Sequence, residues 1–345
     1  MGRRALAVLL AAASIMIGAQ AATAEPVTGA PGVVVPELTA PDGSYVESIE
    51  VQDERNIRLQ VRSTAMDMTI PVDVLRPADT SEPRPTLYLL SGAGGGIDTA
   101  TWKLRTDALE FLSDKNINVV QIMANGFAFY TDWLRRDPVL GLNKWDTYLS
   151  EELPPLIDAA LNTNGVNAIA GLSMAGVAVL NLVRENPGMF RSVAVYSGIT
   201  QTSDPIAREA VRLTVEVWGG GDVENMWGAP DNPLWELNDP TIHAEGLRGT
   251  NIFVSTGNGI PGIYDIPGGP FREEPPIETP KTVAIGAFIE ANVDMFNRNL
   301  QNRLHELGIP ATFVYRDSGT HSWGYWQDDL KTSWPVLAQG LYSAP

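Results

Sequence analysis

The chain of 345 residues is 44% hydrophobic and 19% charged, ordinary globular values that argue against disorder and against a membrane bundle and that suit one large α/β domain. Its formal net charge of -17 leaves no basic stripe to neutralise phosphates, so no nucleic acid is expected as a partner and a polybasic membrane patch is absent. It has no cysteine, which rules out disulfides, thiolate metal sites and a thiol nucleophile.

In chain order, Arg3 and Arg4 precede an apolar run from Ala5 to Ile17, and small residues then end in Ala22-Thr23-Ala24. Residues 1–24 thus read as a secretory signal, too short in its apolar part for a membrane span, and the mature chain is expected outside the cytoplasm, secreted or in the cell envelope. Residues 25–44, rich in Pro, Gly, Val and Thr, read as an extended tether leading to a single domain over 45–345. Alternation of apolar and polar residues predicts antiparallel strands over Tyr45–Val51, Arg58–Ser63 and Thr69–Leu75. Continuous apolar runs predict buried parallel strands over Thr86–Leu90, Val119–Met123, Ala168–Leu172, Ser192–Tyr196, Ile252–Ser255 and Thr312–Tyr315. Between them helices are predicted over Arg105–Lys115, Lys144–Leu161, Ala175–Glu185, Val283–Leu307 and Trp326–Leu341, with no internal repeat. Hairpins followed by repeated βα units imply a doubly wound, mostly parallel sheet with helices on both faces. The stretch Pro261–Pro280 holds too many prolines and glycines for a helix or strand and reads as a long loop or flap over the sheet edge.

One segment carries chemistry. Ala168-Ile169-Ala170-Gly171-Leu172-Ser173-Met174-Ala175-Gly176 sets a serine between an apolar strand and a helix, as in the nucleophile elbow of the α/β-hydrolase fold. It departs from G-x-S-x-G in having Ala175 at the last position and the glycine one later. A general base must come from three histidines: His305 lies among polar residues of a helix, His243 suits a capping or loop role, and His321 follows the last strand, where this fold holds its histidine. Histidines so spread make no zinc motif, and no metal or cofactor is expected. Two carboxylates compete to orient the base. Asp265 lies shortly after the strand Ile252–Ser255, and Glu290 is the lone charge in an otherwise apolar and small segment, which implies a buried partner. The backbone N–H of Met174 is one expected donor to a developing oxyanion; the second is the N–H of Ala93, in the glycine-dense Ser91-Gly92-Ala93-Gly94-Gly95-Gly96, which lacks the pattern of a phosphate loop.

With these motifs in place, the sequence resembles the mycolyltransferases of the antigen 85 group, which transfer long branched hydroxy-acyl chains to trehalose and to cell-wall arabinan. The resemblance runs through Phe129-Tyr130-Thr131-Asp132-Trp133, Lys144-Trp145, the elbow, Met226-Trp227-Gly228, Asn238-Asp239-Pro240, Gly257-Asn258-Gly259 and Gly319-Thr320-His321-Ser322-Trp323 followed by Tyr325-Trp326. It implies Glu290 as the acid, since Phe288-Ile289-Glu290 matches the family's Phe-Leu-Glu segment, and it supports Met174 and Ala93 as oxyanion donors. Substrate contacts are expected from Ser91, Gly92, Trp102, Asp132, Trp133, Ser322 and Trp323, with core packing as the competing role for any single tryptophan. The family's early loop carries an Asp followed by Gly-Leu-Arg, charges that belong to sugar recognition; Ser91-Gly92-Ala93-Gly94 replaces both here. The cysteine pair of some relatives is also missing. The implied protein is a monomeric, exported serine acyltransferase that moves a mycolyl group between trehalose esters and sugar acceptors through an acyl-enzyme. The competing expectations are a secreted carboxylesterase on simpler esters and a non-catalytic carbohydrate- or matrix-binding envelope protein.

Overall fold

Among the described residues, nine strands form one sheet in the order β1-β2-β3-β5-β4-β6-β7-β8-β9. The computed structural model describes residues 38–124, 126–266 and 280–343, so the expected leader, the first part of the expected tether and residues 267–279 of the proline-rich stretch lie outside the described residues. The strands are β1 (Tyr45–Val51), β2 (Asn56–Ser63), β3 (Met68–Leu75), β4 (Arg84–Leu90), β5 (Asn118–Ile122), β6 (Thr163–Leu172), β7 (Phe190–Tyr196), β8 (Asn251–Thr256) and β9 (Thr312–Tyr315). β1, β2, β3 and β5 pair antiparallel in that order, and every pairing from β5 through β4 to β9 is parallel.

Side-chain patterning explains the two halves. In β2, Ile57, Leu59 and Val61 are buried while Arg58, Gln60 and Arg62 face outward, as a half-covered hairpin requires. β4 is buried on both sides: Leu87 and Leu89 enter one apolar core with Trp102 and Trp323, whereas Tyr88 and Leu90 enter the opposite core with Ile169 and Val193. A sheet lined by apolar side chains on both faces needs helices on both, which makes this a doubly wound α/β fold. The chain runs from β4 outward to β5 and then crosses to β6 on the other side of β4, so the strand order reverses there. The carboxyl ends of β4 and β6 therefore flank the crevice in which open α/β sheets place their ligands.

The helices are α1 (Trp102–Arg105), α2 (Ala108–Leu112), α3 (Trp145–Thr147), α4 (Leu153–Leu161), α5 (Ala175–Glu185), α6 (Pro205–Arg212), α7 (Val223–Trp227), α8 (Leu234–Leu237), α9 (Pro280–Glu306) and α10 (Trp323–Leu341), with a π turn over Tyr148–Glu152 joining α3 to α4. Several differ from expectation: α7 and α8 lie outside the predicted helices, and the helix predicted over Lys144–Leu161 is interrupted by the π turn. The helix predicted over Arg105–Lys115 is broken at Thr106, whose backbone is extended and whose hydroxyl donates to the carbonyl of Trp102 and accepts from the N–H of Ala108. α10 begins at Trp323, three residues before its predicted start, right after Ser322 in an extended conformation. The unexpected α6 carried its signal openly, Asp204 capping two N–H groups and Pro205 at the first position.

Asp146, in the first turn of α3, is pushed up to about 7, first by burial and then by Glu185 and Asp132. A carboxyl raised above its ordinary value of 3.8 stabilises the fold most fully below that value, and this contribution is lost as pH rises through about 7. Asp146→Asn is therefore expected to raise the melting temperature at pH 8 and to leave it nearly unchanged at pH 4. Thermal melts of both proteins at the two pH values check this, and equal shifts at both would refute the linkage.

Candidate active site

β6 runs apolar to Leu172, and the chain then turns sharply into α5 through Ser173, a non-glycine residue at φ 53. Such a residue costs of order 1–3 kcal/mol and persists only where its surroundings over-determine it. They do: the N–H of Ser173 donates to the carbonyl of Tyr196 at 3.0 Å, and its own carbonyl accepts from Gly176 at 3.0 Å and Ile199 at 3.1 Å. The glycine spacing has a steric reason. A Cβ on Gly176 would stand 2.7 Å from the Cα of Gly198 and 2.8 Å from the carbonyl oxygen of Ile199, backbone atoms with no freedom to yield. At position 175 the crossing partner is Gly171, whose missing Cβ leaves room for the methyl of Ala175; one added there would lie 2.8 Å from it. The elbow thus tolerates Ala175 because Gly171 and Gly176 are bare.

The hydroxyl of Ser173 lies 2.8 Å from Nε2 of His321, and Nδ1 of His321 lies 2.8 Å from Oε2 of Glu290. His321 sits between β9 and α10, with its ring edge-on to Trp326 at 4.8 Å. Glu290, on α9, is wholly buried. Burial alone would raise its pKa, but the hydrogen bond to His321, that residue's charge, Arg316 and Ser197 together hold it below the ordinary carboxylate range. Its Oε1 accepts from the Ser197 hydroxyl at 2.6 Å, the Gly257 N–H at 2.6 Å, the Thr256 hydroxyl at 3.1 Å and Arg316 at 3.0 Å. Asp265, the other acid considered, takes a different place. It accepts from the Thr320 N–H at 3.2 Å, the Gly262 N–H at 2.8 Å, the Tyr325 hydroxyl at 2.7 Å and the Thr320 hydroxyl, and so pins the loop that carries His321.

The early glycine loop leaves the end of β4 and passes over the elbow. A Cβ on Gly92 would lie 3.4 Å from Cβ of Ser173 and 2.7 Å from Cδ1 of Leu172, so a side chain here would require the Leu172 side chain to shift. Ala93 holds the loop through its carbonyl, which accepts from Phe127 at 2.7 Å, and its N–H, like that of Met174, finds no backbone acceptor among the described residues. Ser91 is buried beside them.

Several expected substrate contacts have other tasks. Trp102 and Trp133 are both 0% exposed, so neither reaches a ligand; their indole N–H groups donate to the carbonyls of Leu90 and Ala128. Asp132 caps α3, accepting from the N–H groups of Asp146 and Thr147 and from the Thr147 hydroxyl. Trp323 packs edge-on against Trp102 at 5.6 Å and Trp326 at 5.1 Å, while Ser322 buries its Oγ without a protein partner among the described residues. Packing wins at Trp102, Trp133 and Trp323 because large apolar rings beside two core layers bury more area inward than outward. Sequence reasoning passed over Arg316, Ser197, Thr256 and Asp329. An arginine, a serine and a threonine at strand ends and an aspartate on a helix read as surface residues, and only the tertiary fold brings the first three to Glu290 and Asp329 to Arg316.

With this geometry in hand, similarity to known proteins is informative. A family described as putative esterase matches residues 63–336. The diacylglycerol acyltransferase/mycolyltransferase Ag85B of Mycobacterium leprae is 31% identical over 296 residues, covering 83% of this chain and 84% of the relative. The chain is an antigen 85-like member of the esterase family. The Ag85A protein of Mycobacterium tuberculosis is 30% identical over the same share of the chain, 83%. Among solved structures, Mycobacterium tuberculosis MPT51 superposes with a TM-score of 0.69 at 25% identity, covering 84% of this chain and 100% of that one. An S-formylglutathione hydrolase from Agrobacterium tumefaciens, at 18% identity and a TM-score of 0.61 over 86% of this chain and 99% of its own, shares the fold. The antigen 85-like esterase is an α/β-hydrolase whose chemistry is acyl transfer or ester hydrolysis.

Proposed function

We propose that this protein is an exported serine acyltransferase that moves a long acyl chain, a mycolyl group in its preferred substrate, from a trehalose ester to a sugar hydroxyl of the cell envelope. The observation that carries the reading is the unbroken hydrogen-bonded line Ser173–His321–Glu290 at the sheet's switch point. Ser173 attacks the ester carbonyl while His321 takes its proton at Nε2, and Glu290 holds the imidazole in the tautomer that leaves Nε2 free to accept. The N–H groups of Met174 and Ala93 receive the developing oxyanion, each contributing about 3 kcal/mol in comparable sites. The proton then passes to the departing sugar, and the acyl-enzyme is resolved when an acceptor hydroxyl attacks with His321 again as base. The leader over residues 1–24 supports export, and relatives named as mycolyltransferases and diacylglycerol acyltransferases support a long acyl donor and an alcohol acceptor.

A second reading, a carboxylesterase on simpler esters, is favoured by the uncharged Ser91-Gly92-Ala93-Gly94 turn. Incubation with a trehalose mycolate followed by mass spectrometry separates the readings. An acyl mass on the Ser173 peptide that passes to added trehalose supports transfer; release of free acid alone selects the esterase. A protein modified neither by the mycolate nor by a serine-directed phosphonate is the non-catalytic binder instead.

A further inference from the structure

The oxygen of Glu290 that faces away from the base is crowded, and one of its four donors is a cation. Arg316 follows β9 directly and is tied to the strand end by its N–H, which donates to the Thr256 carbonyl at 2.9 Å. Its side chain turns inward. One terminal nitrogen donates to Oε1 of Glu290 at 3.0 Å and lies 3.4 Å from the Ser197 hydroxyl, and the other is in close contact with Oδ2 of Asp329 on α10. The guanidinium carbon stands 5.1 Å over the ring of Tyr325, whose hydroxyl is held by Asp265. Glu290 and Asp329 are both buried, so little solvent screens the three charges.

As a device for stability this is a poor investment: a buried ion pair loses about as much in desolvation as it gains, and apolar side chains of the same volume are often better. As a device acting on the base it has an effect no apolar side chain can have. A carboxylate shared with a cation attracts an imidazolium less, and a second carboxylate on that cation restores part of the attraction.

We propose that Arg316 and Asp329 are positioning residues of the Ser173–His321–Glu290 line, Arg316 fixing Glu290 so that Oε2 alone meets the imidazole and draining its charge, and Asp329 setting how much is drained. The inference rests on the reading of His321 as general base. Charged and titratable groups reach this assembly from four directions: Glu290 from α9, Asp329 and Tyr325 from α10, Arg316 from the end of β9, and Asp265 from the loop after β8, where it is bound to Thr320 and Tyr325. Asp328, also on α10, is engaged by the hydroxyl of Tyr264. The trio Glu290, Arg316 and Asp329 carries one net negative charge while Asp329 is ionised and none once it is protonated. Burial, opposed by Arg316 and reinforced by Glu290, pushes Asp329 up to about 6, so the balance changes within the working range of an esterase.

The test is the acid limb of the pH profile of kcat/KM on a short p-nitrophenyl ester. Asp329→Asn removes a negative charge and leaves Arg316 undivided on Glu290, so the limb is expected to move to lower pH. Arg316→Gln keeps a donor to Oε1 but removes the cation, and the limb is expected to move to higher pH, each by about half a unit or more. The double variant returns close to the wild type, and Arg316→Lys, which keeps charge but loses the two-pronged geometry, lowers kcat with the limb in place. A merely structural role would lower melting temperature and kcat without opposed shifts. Because three histidines are easily assigned, the pH at which the His321 ring signal moves is also read by NMR in a Ser173→Ala background, where activity is irrelevant. Shifts of the same sign, or none, in folded Asp329→Asn and Arg316→Gln proteins overturn the inference. A wild type that cleaves no ester overturns the underlying reading instead, whatever the NMR shows.

Discussion

Ser173→Ala is expected to lower kcat on any ester by roughly 10⁴-fold or more while leaving the melting temperature close to that of the wild type. The size follows from what the hydroxyl does. In the proposed mechanism its oxygen is the atom that attacks the ester carbonyl, and members of such a triad act as a unit, so losing the nucleophile costs nearly as much as losing all three. The small structural cost follows from the local geometry: alanine keeps the Cβ, the backbone at φ 53 is anchored through Tyr196, Gly176 and Ile199, and the hydroxyl bonds to His321. Ser173→Gly sharpens the test. It abolishes activity equally, yet it removes the strain of a left-handed non-glycine residue. Steady-state rates paired with thermal melts read both effects. A Ser173→Ala protein that kept a tenth of wild-type activity would show that the acyl group never resides on this serine.

Much of this architecture is written locally, and some is not. β9 and α5 carry their full bounds in the residues, because Thr312–Tyr315 is a short β-favouring run ended by turn residues and Ala175–Glu185 follows an unmistakable elbow. The halves of the sheet were equally legible, since alternation and continuous burial follow from one or two covered faces. Ser173 and His321 announced themselves by context and scarcity. The acid did not: Asp265 and Glu290 were indistinguishable by residue type and position, and only the resemblance favoured Glu290. What separates them is which carboxylate the folded chain turns toward Nδ1, a tertiary fact. The same holds for Trp102 and Trp133. An aromatic residue near a motif looks identical in sequence whether its ring faces a ligand or a core, and here both rings face the core. Arg316 and Asp329 lay further beyond reach, because a charge at a strand end and another on a polar helix turn ordinarily belong to the surface.

Glu290→Gln carries the second large effect, and the crowding at Oε1 determines its form. The amide has one acceptor and one donor end. Placing its NH₂ at the Oε1 position would set it against the N–H of Gly257, the hydroxyls of Ser197 and Thr256 and the guanidinium of Arg316, so the oxygen must stay there and the NH₂ must face His321. Nδ1 then has to accept, which places the ring proton on Nε2, pointing at the Ser173 hydroxyl it is meant to deprotonate. Imposing the wrong tautomer on a base of this kind lowers kcat by about 10⁴. KM on a short ester is expected to change little, because Glu290 is wholly buried behind His321. Asp265→Asn provides the contrast: it loosens the His321 loop at Thr320 but leaves the tautomer alone, so its loss in kcat is expected to be far smaller. If the two variants ranked the other way, with Asp265→Asn the more damaging to kcat, the orienting acid would have to be sought in the loop after β8 and the role given to Arg316 would fall with it.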